Sequence, residues 1–275
     1  MLDPKRLSIH QVTLPPQMTT PEFVDALARH GVPATSVWRD KVRAHGVGAT
    51  ARLLADAGIA LSGYCFGGLI TSPDAAAAQR ARDDLRWSLD EAATVGAPCL
   101  IFVAGGVDPG DKDIAGARAR TLDGLAEVVP HARQVGVKLA LEPLHPMACA
   151  TRSVLSTTKL ANDWCDRLAA EDIVGIAVDT YAVWWDPEIE AEIARAGARI
   201  CSFHVSDWLE DTRDLRLDRG MMGDGIIDIP RLRRLVEAAG YDRYVEVEIF
   251  SENNWWQREP DDVIAVIKDR VQTAV

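Results

Sequence analysis

Four apolar runs in the second half of the chain end on, or carry, a residue that can bind a cation. VKLALE ends at Glu142, IVGIAVD ends at Asp179, ARICSFHV carries His204 and RYVEVEIF carries Glu248. Three carboxylates and one imidazole make a donor set for a hard or borderline divalent ion, Mn2+ first, with Mg2+, Co2+ or Zn2+ as alternatives. Without an ion, three carboxylates brought together would repel and raise one another's pKa values. Taken singly, a strand-end Glu or Asp is more often a loop-capping group than a ligand, and a lone His204 reads equally well as a packed core residue. Glu246, two residues before Glu248 on the same strand face, is an alternative inward group. Four such residues at four successive run ends favour one shared metal site.

The elements that must position them follow from the pattern. Eight β-type runs, at 7–12, 35–38, 59–65, 98–104, 137–142, 173–179, 198–205 and 243–250, alternate with helical segments rich in Ala, Arg, Glu and Leu. Several helical segments stop at glycine, as in ARHG, ADAG, RQVG and EAAG, which suits a left-handed cap before the next strand. Eight βα units in 275 residues predict an α/β fold, a single-domain (β/α)8 TIM barrel over 1–275, with chemistry gathered at the C-terminal strand ends. A doubly wound open sheet fits less well. No glycine-rich turn follows the first run, and GYCFGG after the third does not match a dinucleotide fingerprint.

Composition narrows the partners. A net charge of −11 argues against non-specific binding to nucleic acid or an anionic membrane. No apolar run approaches the roughly 18 residues of a membrane helix. Five cysteines without a CxxC pair suit a reducing compartment, and MLDPKRLSIHQV has no long apolar stretch of a secretory signal. A cytoplasmic location is therefore expected, with a small molecule as the partner. A homo-oligomer and a complex with a small partner subunit both stay open.

The motifs LALEPLHP, AVDTYAVWWDP, FHVSDW, DRGMMGDGIID and VEVEIF, in that order, resemble the sugar phosphate isomerase/epimerase superfamily. These are the xylose-isomerase-like barrels, related to inosose dehydratases and ketose 3-epimerases. The resemblance runs from LSIHQV to the last helical segment. It implies that Glu142, Asp179, His204 and Glu248 bind one divalent metal and that Glu142 and Glu248 flank a sugar as an acid/base pair. The implied chemistry is proton abstraction next to a carbonyl through a metal-stabilised enediolate, which serves isomerisation, epimerisation or β-elimination. EPLHP further resembles a branch that includes the larger subunits of C-glycoside deglycosidases, lyases acting on 3-keto-glucosyl groups. His145, three residues past Glu142, would there donate a proton to a leaving group or hold a sugar hydroxyl.

Other residues would shape the pocket. Trp38, Trp184, Trp185 and Trp208 follow strand ends and would cover sugar C–H faces or a flat aglycone. Trp255 and Trp256 read as readily as loop packing or an oligomer interface, and Trp87 and Trp164, in helical segments, as core. Arg219 in the glycine-rich loop 218–225, with Arg39 and Arg152, are cationic rim candidates. None forms a phosphate cradle, so an unphosphorylated polyol or glycoside is at least as good a candidate ligand as a sugar phosphate, and phosphorylation stays open. Related sequences often carry a histidine three residues after the metal-binding aspartate; here Ala182 stands in that place. A nuclease is disfavoured by the acidic charge and only six histidines. Three functions remain: an isomerase or epimerase first, a lyase on a 3-keto sugar second, and a non-catalytic sugar-binding barrel as the reading of another class.

Overall fold

A computed structural model describes Met1–Val275. Eight parallel strands close a barrel: β1 (Leu7–His10), β2 (Ala34–Trp38), β3 (Ala60–Gly68), β4 (Cys99–Val103), β5 (Lys138–Leu141), β6 (Val174–Asp179), β7 (Ile200–Val205) and β8 (Val245–Val247). Each strand pairs with its sequence neighbours, and β8 closes on β1 with Leu7 opposite Val245 and Ile9 opposite Val247. All eight expected strands are present. β3 runs three residues further than expected and β8 is trimmed to three residues, so Glu248 lies just past its end.

Ten helices, α1 (Thr20–Arg29), α2 (Arg39–His45), α3 (Val47–Ala57), α4 (Ala75–Val95), α5 (Ile114–Val135), α6 (Thr158–Leu168), α7 (Thr180–Val183), α8 (Ile189–Ala196), α9 (Ile229–Ala238) and α10 (Pro260–Thr273), lie between or after the strands. Local chemistry fixes their ends. Thr19 caps α1 by accepting from Glu22 N–H, while the Glu22 carboxylate accepts from Thr19 N–H at 2.8 Å, a reciprocal capping box. Gly58, Gly96 and Gly136 stop α3, α4 and α5 in the left-handed conformation, and β4 and β5 start within three residues of their caps.

Large side chains fill the layer between barrel and helices, among them Phe23, Leu85, Leu89, Phe102, Trp164 and Phe203. Each contributes about 1.5–3 kcal/mol by leaving water. Inside the barrel the residues are smaller: Cys65, Cys99, Ala140, Ala177 and Cys201 pack around Ile101. Trp164 is core, as expected. Trp87 is not; it is 64% exposed. The buried stripe of α4 is Leu85, Ser88, Leu89, Ala92 and Val95, and Trp87 falls roughly 200° around the helix from Leu85.

Candidate metal centre and active-site pocket

The barrel register brings the expected ligands to one end. Asp179, the last residue of β6, lies opposite His204 on β7, and His204 lies opposite Glu246 on β8. Glu248 N–H donates to Val205 O at 3.1 Å and extends that ladder by one step. Glu142, just past β5, is held by its N–H on Phe102 O at 3.1 Å. All four side chains are buried.

Three of them converge. His204 Nδ1 lies 3.2 Å from Glu142 Oε1 and 3.6 Å from Glu248 Oε2, and the three residues offer donor atoms within 4.8 Å of one another. His204 Nε2 is 2.8 Å from Ser202 Oγ, with Glu246 Oε1 behind it at 3.6 Å. A neutral imidazole protonated at Nε2 satisfies those acceptors and turns the Nδ1 lone pair toward the two carboxylates. Neither Glu142 Oε1 nor His204 Nδ1 has a hydrogen-bond partner. Facing lone pairs need a cation or a proton between them, so the donor set fits a divalent ion.

Asp179 is engaged differently. Its Oδ1 caps Tyr181 N–H at 3.0 Å, while its Oδ2 lies 3.0 Å from Arg219 Nη1. The same nitrogen reaches Glu248 Oε2 at 3.1 Å, so Arg219 bridges two of the four expected ligands. Burial would raise Glu248, but Arg219, then His204 and His10, hold it well below the usual carboxylate range. Burial pushes Glu142 up to about 7, opposed by its contact with His204 and helped by Glu248. Asp179 is also raised by burial, against the pull of Arg219. For His204, burial works against charge, but Glu246 and then Glu142 and Glu248 lift it well above the usual value.

A polar layer lies beneath. Glu246 and Glu248 both point into the barrel, at two depths: Glu246 Oε2 accepts from Ser62 Oγ at 2.6 Å, and Ser62 Oγ meets Ser8 Oγ at 2.8 Å. His10 Nδ1 accepts Val12 N–H at 3.0 Å, which leaves the ring proton on Nε2, 3.6 Å from Glu248 Oε1 and 3.9 Å from Glu246 Oε1. His10, Cys65 and Glu248 also gather within 4.8 Å. The His10 tautomer makes Nε2 a donor toward the carboxylates, not a second ligand.

Above the centre opens a cavity of about 400 Å³. Glu142 and Glu248 form part of its floor, with Trp38, Phe66, Tyr181 and Phe250 as aromatic walls. His145, Arg152, Ala182 and Arg219 also line it. His145 Nδ1 accepts Met147 N–H at 3.3 Å, and partial burial lowers its pKa, so a neutral ring carries its proton on Nε2. Several expected wall residues stand elsewhere. Arg39 donates to Asp84 Oδ2 at 2.6 Å and Ser88 Oγ at 3.0 Å, outside the cavity lining. Trp184 and Trp208 pack at 5.7 Å between ring centres, and Trp185 donates to Ala182 O at 2.8 Å; these three support Tyr181 and His145 from outside the lining. Trp256 Nε1 donates to Val12 O at 2.7 Å and Trp255 is buried, so both pack the loop after β8.

A family model described as a xylose isomerase-like TIM barrel matches residues 24–269. The chain belongs to that family. A protein of Sinorhizobium meliloti 1021, SMc04130, is 46% identical over 99% of both chains and superposes with a TM-score of 0.96. An IolI protein solved with a bound zinc atom is 17% identical over 98% of both chains, with a TM-score of 0.85. The 3-keto-D-glucoside 4-epimerase YcjR of E. coli is 16% identical over 96% of this chain and 99% of its own, at 0.77. At the two lower identities the likeness shows the fold alone. A search among curated proteins finds no match.

The sequence did not by itself point to Asp207, a determinant of this xylose isomerase-like barrel. Asp207, buried three residues after His204, accepts backbone N–H groups from Gly223 and Gly225 at 2.9 Å and from Ile227 at 3.0 Å. It pins the loop that carries Arg219, whose Arg219–Gly220 segment pairs antiparallel with Asp207–Trp208. A Cβ on Gly225 would sit 2.1 Å from Trp208 O, so only glycine fits that crossing. The signal was present in FHVSDW, where an acid follows closely on the candidate ligand. Phe66, Tyr181 and Phe250 in the cavity lining, and His10 in the polar layer beneath, were also missed, because nothing local marks a residue that meets the site from another strand.

Proposed function

We propose that the protein is a divalent-metal-dependent sugar isomerase or epimerase that removes a proton from the carbon beside a carbonyl. The convergence of Glu142 Oε1, His204 Nδ1 and the Glu248 carboxylate carries this reading, because two of these buried atoms have no hydrogen-bond partner. Glu142, His204 and Glu248 would hold the ion, with Asp179 as fourth ligand. An ion there supplies Lewis acidity, polarising neighbouring carbonyl and hydroxyl oxygens. Three oxygens and one nitrogen suit Mn2+, Mg2+, Co2+ or Zn2+, and the IolI protein of the same fold was solved with zinc.

The remaining work falls to side chains. Glu142 and Glu248 enter the cavity from β5 and β8, so one can take a proton and the other return it. Arg219 keeps Glu248 anionic. Trp38, Phe66 and Phe250 exclude water and cover C–H faces. A 3-keto-D-glucoside 4-epimerase and a D-psicose 3-epimerase share the fold. His145 favours a second reading, elimination from a 3-keto sugar, because its Nε2 proton would serve a leaving group.

Metal analysis of the purified protein, combined with proton NMR of ketoses and 3-keto glucosides in D2O, tests both readings. The first expects about one bound divalent ion and deuterium beside the carbonyl, abolished by Glu142→Gln. Release of water or an aglycone without isomer formation selects elimination. Protein that retains no ion and exchanges no proton is a sugar-binding barrel.

A further inference from the structure

The mouth of the cavity holds two arginines that no ion pair or side-chain hydrogen bond engages. Arg152 and Arg216 both line it. Arg152 is half-buried, with its guanidinium 5.6 Å from the centre of the Phe66 ring. Arg216 is exposed and lies 5.6 Å from the Phe250 ring centre. Neither side chain makes an ion pair or a hydrogen bond. Carboxylates are abundant in this chain, 41 against 30 basic residues, and Arg195 alone engages Glu192, Asp163 and Asp166. One carboxylate does line the mouth, that of Asp214, but its Oδ1 is turned onto the N–H groups of Arg216 at 2.8 Å and Leu217 at 2.9 Å.

The cost of this arrangement points to a ligand. A guanidinium half-removed from water without an acceptor loses hydration it does not recover. Burial disfavours the Arg152 charge, and Arg216 adds repulsion, only partly offset by Glu142 and Glu248. Of the other two cavity arginines, Arg219 is already committed to Asp179 and Glu248, and Arg213 lies 4.0 Å from Asp211. Planar guanidinium groups against aromatic faces keep their N–H edges free for a planar or tetrahedral anion.

We propose that the substrate is anionic: a carboxylate- or phosphate-bearing sugar whose charged group is held between Arg152 and Arg216. This rests on the sugar-converting reading above and names its substrate class. It also decides between the charged and neutral ligands that the sequence left open, where Arg152 stood among scattered rim cations and Arg216 was not singled out.

Calorimetric titration of the protein, carrying the ion it retains, with D-fructose, D-glucuronate and D-fructose 6-phosphate tests the proposal. At low salt at least one anionic probe should bind tenfold or more tightly than D-fructose, with the gap closing in 0.5 M NaCl. Preference for glucuronate identifies a carboxylate site and preference for the phosphate a phosphate site. In Arg152→Gln and, separately, in the exposed Arg216→Ala, the anion-to-fructose affinity ratio should collapse to within about threefold of one. Circular dichroism confirms that each variant is folded. Equal binding of all three probes, binding of no anion, or a ratio untouched by both variants overturns the proposal. Metal content and deuterium exchange on the same samples separate the two readings. Protein that prefers anions yet holds no ion and exchanges no proton fails the catalytic reading alone. Protein that exchanges into neutral ketoses and ignores anions fails this one alone.

Discussion

Arg219 Nη1 lies 3.0 Å from Asp179 Oδ2, with both side chains almost wholly out of water. Because the same nitrogen reaches Glu248, its removal would leave two buried carboxylates uncompensated. Breaking such a pair costs about 3–5 kcal/mol. Arg219→Ala should lose that much in urea denaturation of EDTA-treated protein, and a saturating divalent ion should restore most of it. A loss below about 1 kcal/mol would mean that the carboxylates take up protons instead.

Ser202 sets the face that His204 presents to the centre. Ser202→Ala should weaken metal retention about 10–100-fold, as expected when the partner orienting a ligand histidine is lost. His204→Ala should abolish retention. Competition with a chelating dye measures both.

Glu142 gives a pH signature. Its folded value, raised by burial to about 7, stands above the ordinary 4.5. The folded state therefore binds the extra proton between those values, and the contribution to stability is lost as pH rises toward 7. Metal-free wild type should lose melting temperature from pH 5 to pH 8 more steeply than metal-free Glu142→Gln. Parallel curves would contradict this.

Asp207→Ala strands three backbone N–H groups on the Arg219 loop. The expected cost is about 2–4 kcal/mol, with faster proteolysis between residues 209 and 225. Asp207→Asn, which keeps an acceptor, should lose less.

The cysteines make a further check. Cys65, Cys99, Cys165 and Cys201 are buried, and burial pushes the Cys165 thiol up to about 12. Cys149 is the partly exposed one. At pH 8 a disulfide reagent should titrate one thiol in the native protein and none in Cys149→Ala.

The barrel was legible because its strands are apolar runs with glycine-stopped helices between them, a pattern written in consecutive residues. Glu142, Asp179, His204 and Glu248 were legible for the same reason, since a strand end is a local event. Arg219 was noticed only as a rim cation; its bridge between Asp179 and Glu248 depends on a loop folding back over two strands. Trp184 and Trp185 misled because following a strand end does not say whether a ring faces the cavity or supports what does. Trp87 misled because composition says nothing of which side of α4 meets the barrel.

The three bonds that Asp207 accepts from Gly223, Gly225 and Ile227 tie residues 204 to 227 into one contiguous unit. His204, the aspartate that anchors the loop and the arginine that answers Asp179 lie in one contiguous block of chain. A chimera joined between residues 209 and 218 would separate the anchor from its load, whereas junctions outside the block would carry the arginine's placement into another barrel intact.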